Sequence, residues 1–452
     1  MLKILDVRRA PHGPDHAMSR ADGAAPARPD IRVCSTANHA FWLFEHLMAL
    51  FGLLICAKAL VPLYATDDAV RGRPLDEANV LFQAMSGSVY LLALVMLLPR
   101  WREAIGLLAR NNALLLLCLL PAASLLWSVE PEVAVRRGVA LLLTFGFALW
   151  LAMRFRPGTV LRLTVGALFL GALASLVAAL IMPELGKHAF GSHSGLWRGT
   201  FGHKNIMGRM MSLAVVVGML LSTTNRRSTG VPLMAVALAA LLILMSGSAT
   251  AVATTLLILM MIPPSAWLST FGLRPHVVVS AALGATALAS ITIVALVEPI
   301  LALLGRDATM SGRWRLWEVA LAEGLRQPLL GAGFRTFWLE EGPGGRVMKL
   351  VSWGEGNIGN GHNAYLDLWL ELGLAGVMSY LVLLKEATSR VITLIGQSDP
   401  LGVWLAVLLV HISAYAATER VLLEHSDLSW LLFMVLLIQA TPALAAARRA
   451  LA

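Results

Sequence analysis

Residues 277–297, VVVSAALGATALASITIVALV, carry no charge. At a helical rise of about 1.5 Å per residue, such a run covers the roughly 30 Å hydrocarbon core of a bilayer. It reads as a spanning helix. Comparable apolar runs, separated by clusters of charge, predict further spans at 41–61, 80–98, 113–128, 138–153, 160–182, 205–221, 231–246, 248–263, 364–384, 401–418 and 428–443. The expected fold is an all-α integral membrane protein of about twelve transmembrane helices. A disordered tail, 1–40, is expected before the membrane domain 41–443 and a short tail, 444–452, after it.

Composition agrees. With 58% hydrophobic and 14% charged residues and a mean hydropathy of +0.72, two or three soluble domains are hard to sustain. The net charge of +9 does not point to nucleic acid, because the basic residues form short clusters between apolar runs. They read as topology determinants. With both termini cytoplasmic, Arg100, Arg102, Arg110, Arg154, Arg156, Arg162, Arg226, Arg227, Lys385 and Arg390 fall inside. Segments 62–79, 183–204, 298–362 and 419–427 then fall outside. Cys34, Cys56 and Cys118 have no metal-ligand or disulfide spacing. No HExxH, Asp-x-Asp in an outer loop, P-loop or GxSxG occurs, and GAGFR lacks the third glycine and preceding strand of a dinucleotide fingerprint.

The chemistry is expected around the large outer loop 298–362, which is too long for a simple connection. SGRWRLWEVALAEGLRQP within it predicts an amphipathic surface helix, with Ser311 as N-cap, Arg313 in the first turn, and Trp314, Trp317, Leu321 and Leu325 at helical spacing. GAGFRTF (331–337) and the glycine-rich stretch 340–361 read as a flexible lid or cleft wall. The loop ends in GHNAYLDLWLELGLAG (361–376). There His362 stands where the chain enters a span, and Asn363, Asp367 and Glu371 follow on one helical stripe. Buried carboxylates either satisfy neighbouring helices or face a wet cavity. His362 is either a structural cap or a base at the cavity mouth.

A second cluster, LWRGTFGHKNIMGRMM (196–211), places Arg198, His203, Lys204 and Arg209 on the outer side, against the positive-inside bias. Such groups pair with lipid headgroups or bind an anion such as a diphosphate. Trp197, Trp338 and Trp353 read equally as pyranose platforms or as interfacial anchors.

RGTFGHKNIMGR, SGRWRLW, PLLGAGFRTF and GHNAYLDLWLELGLAG, in this order, resemble the O-antigen ligase and Wzy-type polysaccharide polymerase superfamily. The FGHKN variant is most similar to exopolysaccharide polymerases of the succinoglycan type. The resemblance implies a GT-C-like, metal-independent, inverting glycosyltransferase of the bacterial inner membrane, without cofactor. Its periplasmic cavity would take a glycan on undecaprenyl diphosphate and transfer it to an acceptor sugar hydroxyl. By the same resemblance, Arg198 and Arg313 engage the diphosphate and His362 activates the acceptor. Lys204, Arg209, His203, Asn205, Asn363 and Tyr365 contribute substrate contacts. A polymerase extending a lipid-linked repeat unit is the leading expectation, with a chain-length-regulating co-polymerase as a further partner. A ligase acting on lipid A core is the alternative within the class, and a polysaccharide flippase or transporter the alternative outside it.

Overall fold

The computed structural model describes residues 36–64, 79–189, 193–224, 230–268, 284, 311–351 and 359–445. Contacts divide the chain into Met1–Phe44 and Glu45–Ala452, and the packing described below belongs to the second unit. Most described residues are helical, and the only extended pairing among them is one bridge, Lys187 to Trp197.

Apart from single turns, the helices are α1 Thr36–Cys56, α2 Val80–Leu97, α3 Trp101–Leu108, α4 Asn112–Ala123, α5 Pro131–Arg154, α6 Pro157–Ile181, α7 Lys204–Thr224, α8 Gly230–Ser246, α9 Ala249–Leu268, α10 Ser311–Gly324, α11 Pro343–Val351, α12 Ala364–Gly396, α13 Pro400–Ala416 and α14 Leu428–Gln439. Among the described residues, six segments are long and apolar enough to cross a membrane: His39–Cys56, Val80–Leu108, Pro131–Arg154, Pro157–Ile181, Lys204–Ser222 and Ala364–Gly396. Shorter apolar helices occupy Asn112–Leu126, Gly230–Ser246, Ala249–Leu259, Pro400–Ala416 and Leu428–Gln439. Each expected span meets one of these, except 277–297, which apart from Gly284 lies outside the described residues. Most of the expected tails, 1–35 and 446–452, lie outside them too, and α1 begins at Thr36, within the tail expected to end at 40.

Local chemistry explains the helix starts. Asn79 accepts from Phe82 N at 3.0 Å, and Asp427 from Ser429 N and Trp430 N at 3.0 and 3.1 Å. Each side chain replaces a partner the first turn lacks. Proline at the first position of α5 and α6 costs no hydrogen bond there.

Hydrogen bonds tie the connecting segments to one another. Arg390 donates to Asn111 Oδ1 at 2.6 Å, to Arg110 O at 2.7 Å and to Leu437 O at 2.7 Å. In a separate set, Val129 N donates to Ala332 O at 3.1 Å, and Trp197 N to Met245 O at 3.2 Å.

The last helix, α14, is buried at every position. A helix apolar all round belongs in a bundle's interior, and its 12 residues reach only about 18 Å. Segment 419–427, expected as an outer loop, is irregular and from Val421 onward it is buried against the protein, with Leu423 and Ser426 at φ 52°. Its polar groups therefore need partners within the protein. Here Ser426 N donates to Thr144 Oγ1 at 3.2 Å and Tyr90 Oη to Ser426 Oγ at 2.8 Å.

The span expected at 364–384 is also altered. Helix α12 runs 33 residues and is broken at Gly373, φ 60° and ψ −157°, a conformation open essentially to glycine alone. The break strands backbone groups on both sides, and the segment around GAGF takes them up. Ala332 N and Gly333 N donate to Leu370 O and Glu371 O at 3.0 and 2.9 Å, while Leu374 N and Ala375 N donate to Pro328 O and Leu329 O at 2.9 and 3.1 Å. Gly331, at φ 67°, permits the approach, since a Cβ there would overlap the Glu371 backbone. Residues 331–337 are therefore a buried wedge rather than a flexible lid.

The surface helix expected from Ser311 is present as α10, but the face that packs is Leu316, Trp317 and Ala320. Leu321 and Leu325 are exposed. Part of the glycine-rich stretch 340–361 forms α11, and residues 352–358, including Trp353, lie outside the described residues.

Candidate functional site

The site begins where loop 182–203 enters α7. His188 N donates to Leu196 O and Gly195 N to His188 O, both at 2.9 Å, folding the loop back on itself. This draws His188, His193 and His203 into a triangle with ring centroids 5.2 to 5.8 Å apart. His188 Nε2 accepts from Lys204 N, and His203 Nδ1 from Asn205 N, each at 3.2 Å. The imidazoles thus cap the start of α7, and each accepting nitrogen must be unprotonated. Burial, reinforced by His203 and Arg198, lowers His188 to about 3. Burial also lowers His203 to about 4, although Glu419 pulls the other way. Both rings are neutral at pH 7.

Arg198 is 2% exposed. Its Nε and Nη2 donate to Leu185 O at 3.0 Å and Glu184 O at 2.9 Å, so much of its hydrogen-bonding capacity shapes the loop. Lys204 and Asn205 are half-buried at the start of α7. Arg209 lies deeper on α7 and pairs with Asp427 at 2.7 Å. Trp197 sits beneath Lys187, whose Nζ is 5.5 Å from the ring centroid. Trp338 is no sugar platform: it is 4% exposed, and its indole N–H donates to Asp367 at 2.8 Å.

The opposite wall is the start of α12. His362 adopts φ 50°, held by its N–H donating to Asn360 Oδ1 at 2.8 Å, and Asn363 caps the helix by accepting from Tyr365 N and Leu366 N at 3.1 and 3.2 Å. Tyr365 Oη donates to Ser413 O at 3.1 Å and ties this end to α13. Arg313 lies in the first turn of α10; its side chain is outside the described residues.

Residues from the buried segment 419–427 join the two walls. Glu419 accepts from Asn205 Nδ2 at 3.0 Å and faces His362 Nδ1 at 4.0 Å. Arg420 Nη2 donates to both oxygens of Glu371 and its Nη1 approaches Asp367 at 4.0 Å. Glu424 pairs with Arg335 and with Lys58, the latter at 3.3 Å. Burial pushes the Glu424 carboxyl up, but Arg335, Lys58 and Arg420 together hold it well below the ordinary carboxylate range.

The structure thus brings His203, Asn205 and His362 together around Glu419. Asp367 and Glu371 serve neighbouring elements, as one of the two sequence readings had it. Glu419, Arg420, Glu424, Arg335 and Lys58 were missed. The dense run of ionisable residues in ERVLLEHSD (419–427), set between two apolar runs, was the available signal. Chemically, the arrangement offers an electropositive, donor-rich wall opposite an imidazole backed by a carboxylate.

Parts of the chain resemble known proteins. Residues 234–381 match the family model described as O-Antigen ligase. Over 96 residues the chain is 29% identical to "Exopolysaccharide production protein ExoQ" of Rhizobium meliloti (strain 1021), an alignment covering 20% of this chain and 21% of that protein. The chain therefore spans about a fifth of the length of the relative it matches. Both matches are partial, the family model covering residues 234–381 and the relative about a fifth of the chain, and both are to proteins of surface-polysaccharide assembly by their printed descriptions.

Proposed function

We propose that this protein is a glycosyltransferase of the bacterial inner membrane that moves a glycan from undecaprenyl diphosphate to an acceptor sugar hydroxyl at the periplasmic face. The observation that carries the reading is the meeting of the α7 cluster with His362 across Glu419. His362 takes the acceptor hydroxyl's proton as the oxygen attacks the anomeric carbon. The bond to the diphosphate breaks, and the anionic leaving group stays with its lipid. A single displacement inverts the anomeric centre, and no metal is required in this scheme.

Arg198, Lys204 and Arg313 supply the positive environment that stabilises the departing diphosphate. Both retained N–H groups of the neutral His188 and His203 rings add donors without adding charge. Glu419 is a positioning residue that orients His362 and Asn205. Arg209, deeper and paired, acts on the anion only through the field it shares with Asp427. Domain boundaries follow the same reading, with both tails cytoplasmic.

Polymerisation is the preferred reaction because the curated relative is named for exopolysaccharide production. Ligation to lipid A core is the second reading, favoured by the description of the matching family model. Purified full-length protein in lipid nanodiscs, supplied with lipid-linked donor and either a lipid-linked repeat unit or lipid A core, tests both. Extension of the repeat unit supports the polymerase, and core modification supports the ligase. Transfer to neither rules out both. Undiminished transfer in EDTA and an inverted product linkage are the further expected results.

A further inference from the structure

A pocket lies between α10, α11 and the first turns of α12, and no histidine lines it. Its volume is about 250 Å³, room for a handful of waters at about 30 Å³ each and less than the roughly 300–1,000 Å³ typical of drug-sized ligands. The floor is apolar, formed by Ala332, Phe337 and Leu370, and the rim is polar, with Glu323, Gln327 and Arg346.

The rim is built rather than incidental. Glu323 Oε1 accepts from Arg346 Nε at 2.9 Å and from its Nη2, and Arg326 Nε approaches the other oxygen at 3.3 Å. These contacts tie α10 to α11 and hold one carboxylate and two guanidinium groups as flat polar surfaces around the opening. The floor is equally fixed, because Ala332 and Leu370 share the backbone hydrogen bond that seals the α12 break. Leu370 lines this pocket while its neighbour Glu371 faces Arg420. Successive residues on a helix point about 100° apart, so the pocket and the charged network occupy different faces of one turn.

We propose that this pocket is a glycan subsite, taking one sugar ring of the saccharide at a distance from the bond being made. The proposal rests on the reading of the protein as a glycan transferase. A pyranose offers a C–H face to an apolar floor and ring-edge hydroxyls to carboxylate, amide and guanidinium partners. A phosphate would meet the Glu323 carboxylate, and an acyl chain would cover the polar rim without bonding to it. A saccharide satisfies both. Binding energy taken up here selects donors by glycan length without touching the reacting atoms.

The test compares two lipid-diphosphate donors, one bearing a single sugar and one a complete repeat unit, with the full-length protein in nanodiscs. Gln327→Trp, which fills the mouth from an exposed position, is expected to raise KM for the longer donor at least fivefold and to leave KM and kcat for the single-sugar donor unchanged. Equal changes for both donors, or none, overturn the proposal. Hydrogen exchange on the wild type gives an independent readout, using the oligosaccharide freed from the longer donor by mild acid. Slowed exchange in 323–327 and 343–347 supports the subsite, and unchanged exchange there at millimolar saccharide overturns it. If the wild type transfers from neither donor, the glycosyltransferase reading fails, whereas the exchange measurement still decides the pocket.

Discussion

Arg420 Nη2 stands 2.7 and 2.8 Å from the two carboxylate oxygens of Glu371, and its Nε lies 3.6 Å from Glu424. One guanidinium thereby fastens the buried segment 419–427 to the broken helix α12. Replacing it with alanine abandons buried carboxylates, which typically costs about 3–5 kcal/mol. Arg420→Ala is expected to lower the thermal unfolding midpoint of the detergent-solubilised protein sharply. The paired variant Glu371→Gln with Arg420→Gln, which removes both charges, should unfold closer to the wild type than Arg420→Ala does.

Gly373→Ala is expected to prevent accumulation of folded protein. The substituted residue would have to hold φ 60° and ψ −157°, and its Cβ would overlap the Leu329 carbonyl and Leu330 N. Gly396 at the far end of the same element meets nothing within 4 Å, so Gly396→Ala should express and elute as the wild type does. Size-exclusion chromatography in detergent reads both.

The histidine triangle predicts an acid limit to stability. His188 and His203 titrate at about 3 and about 4 in the folded protein, against about 6.5 for an unfolded histidine. Between those values the unfolded chain binds more protons, so stability is complete above about pH 6.5 and is lost as pH falls toward 4. Unfolding midpoints measured from pH 7 to pH 4 should decline. His188→Gln, which keeps a side-chain acceptor for Lys204 N but has no titratable group, should decline less steeply.

Removing the base should cost more than removing its orienting partner. His362→Ala is expected to lower the rate of glycan transfer by about 10²–10⁴-fold, the range general-base catalysis supplies. Glu419→Gln retains an oxygen for Asn205 and loses the charge facing His362, so a smaller loss, mainly in kcat, is expected. Initial rates across donor concentrations separate the two, and near-normal transfer by His362→Ala would remove that residue from the chemistry.

Most of the membrane architecture was legible in the sequence because lipid imposes a length and a polarity on each span, and both are written locally. The described apolar helices fall where apolar runs stand, and a helix begins at Ser311 as expected, although Leu321 and Leu325 of its expected apolar stripe are exposed. What escaped depends on distant partners. Segment 419–427 has the composition of a solvent loop, and its pairing with Lys58, Arg209, Arg335 and Glu371 allows most of it to be buried. Arg198 and Asp367 were visible as ionisable residues in unusual places. Their occupations, carbonyls of the same loop for one and a tryptophan N–H for the other, are set by tertiary contacts that spacing does not encode. Glycine at 373 looked like one small residue in an apolar helix, and its positive φ becomes intelligible only beside the wedge that fills the gap.

The way that wedge is fitted has a mechanical consequence. Residues 328–333 supply four backbone hydrogen bonds across the break in α12, two on each side of Gly373, so the bend is clamped and the two halves of the helix are geared together through this segment. Neither half can shift without breaking those bonds or carrying the segment along. A displacement of residues 328–333 would therefore be passed to the helix start that bears His362.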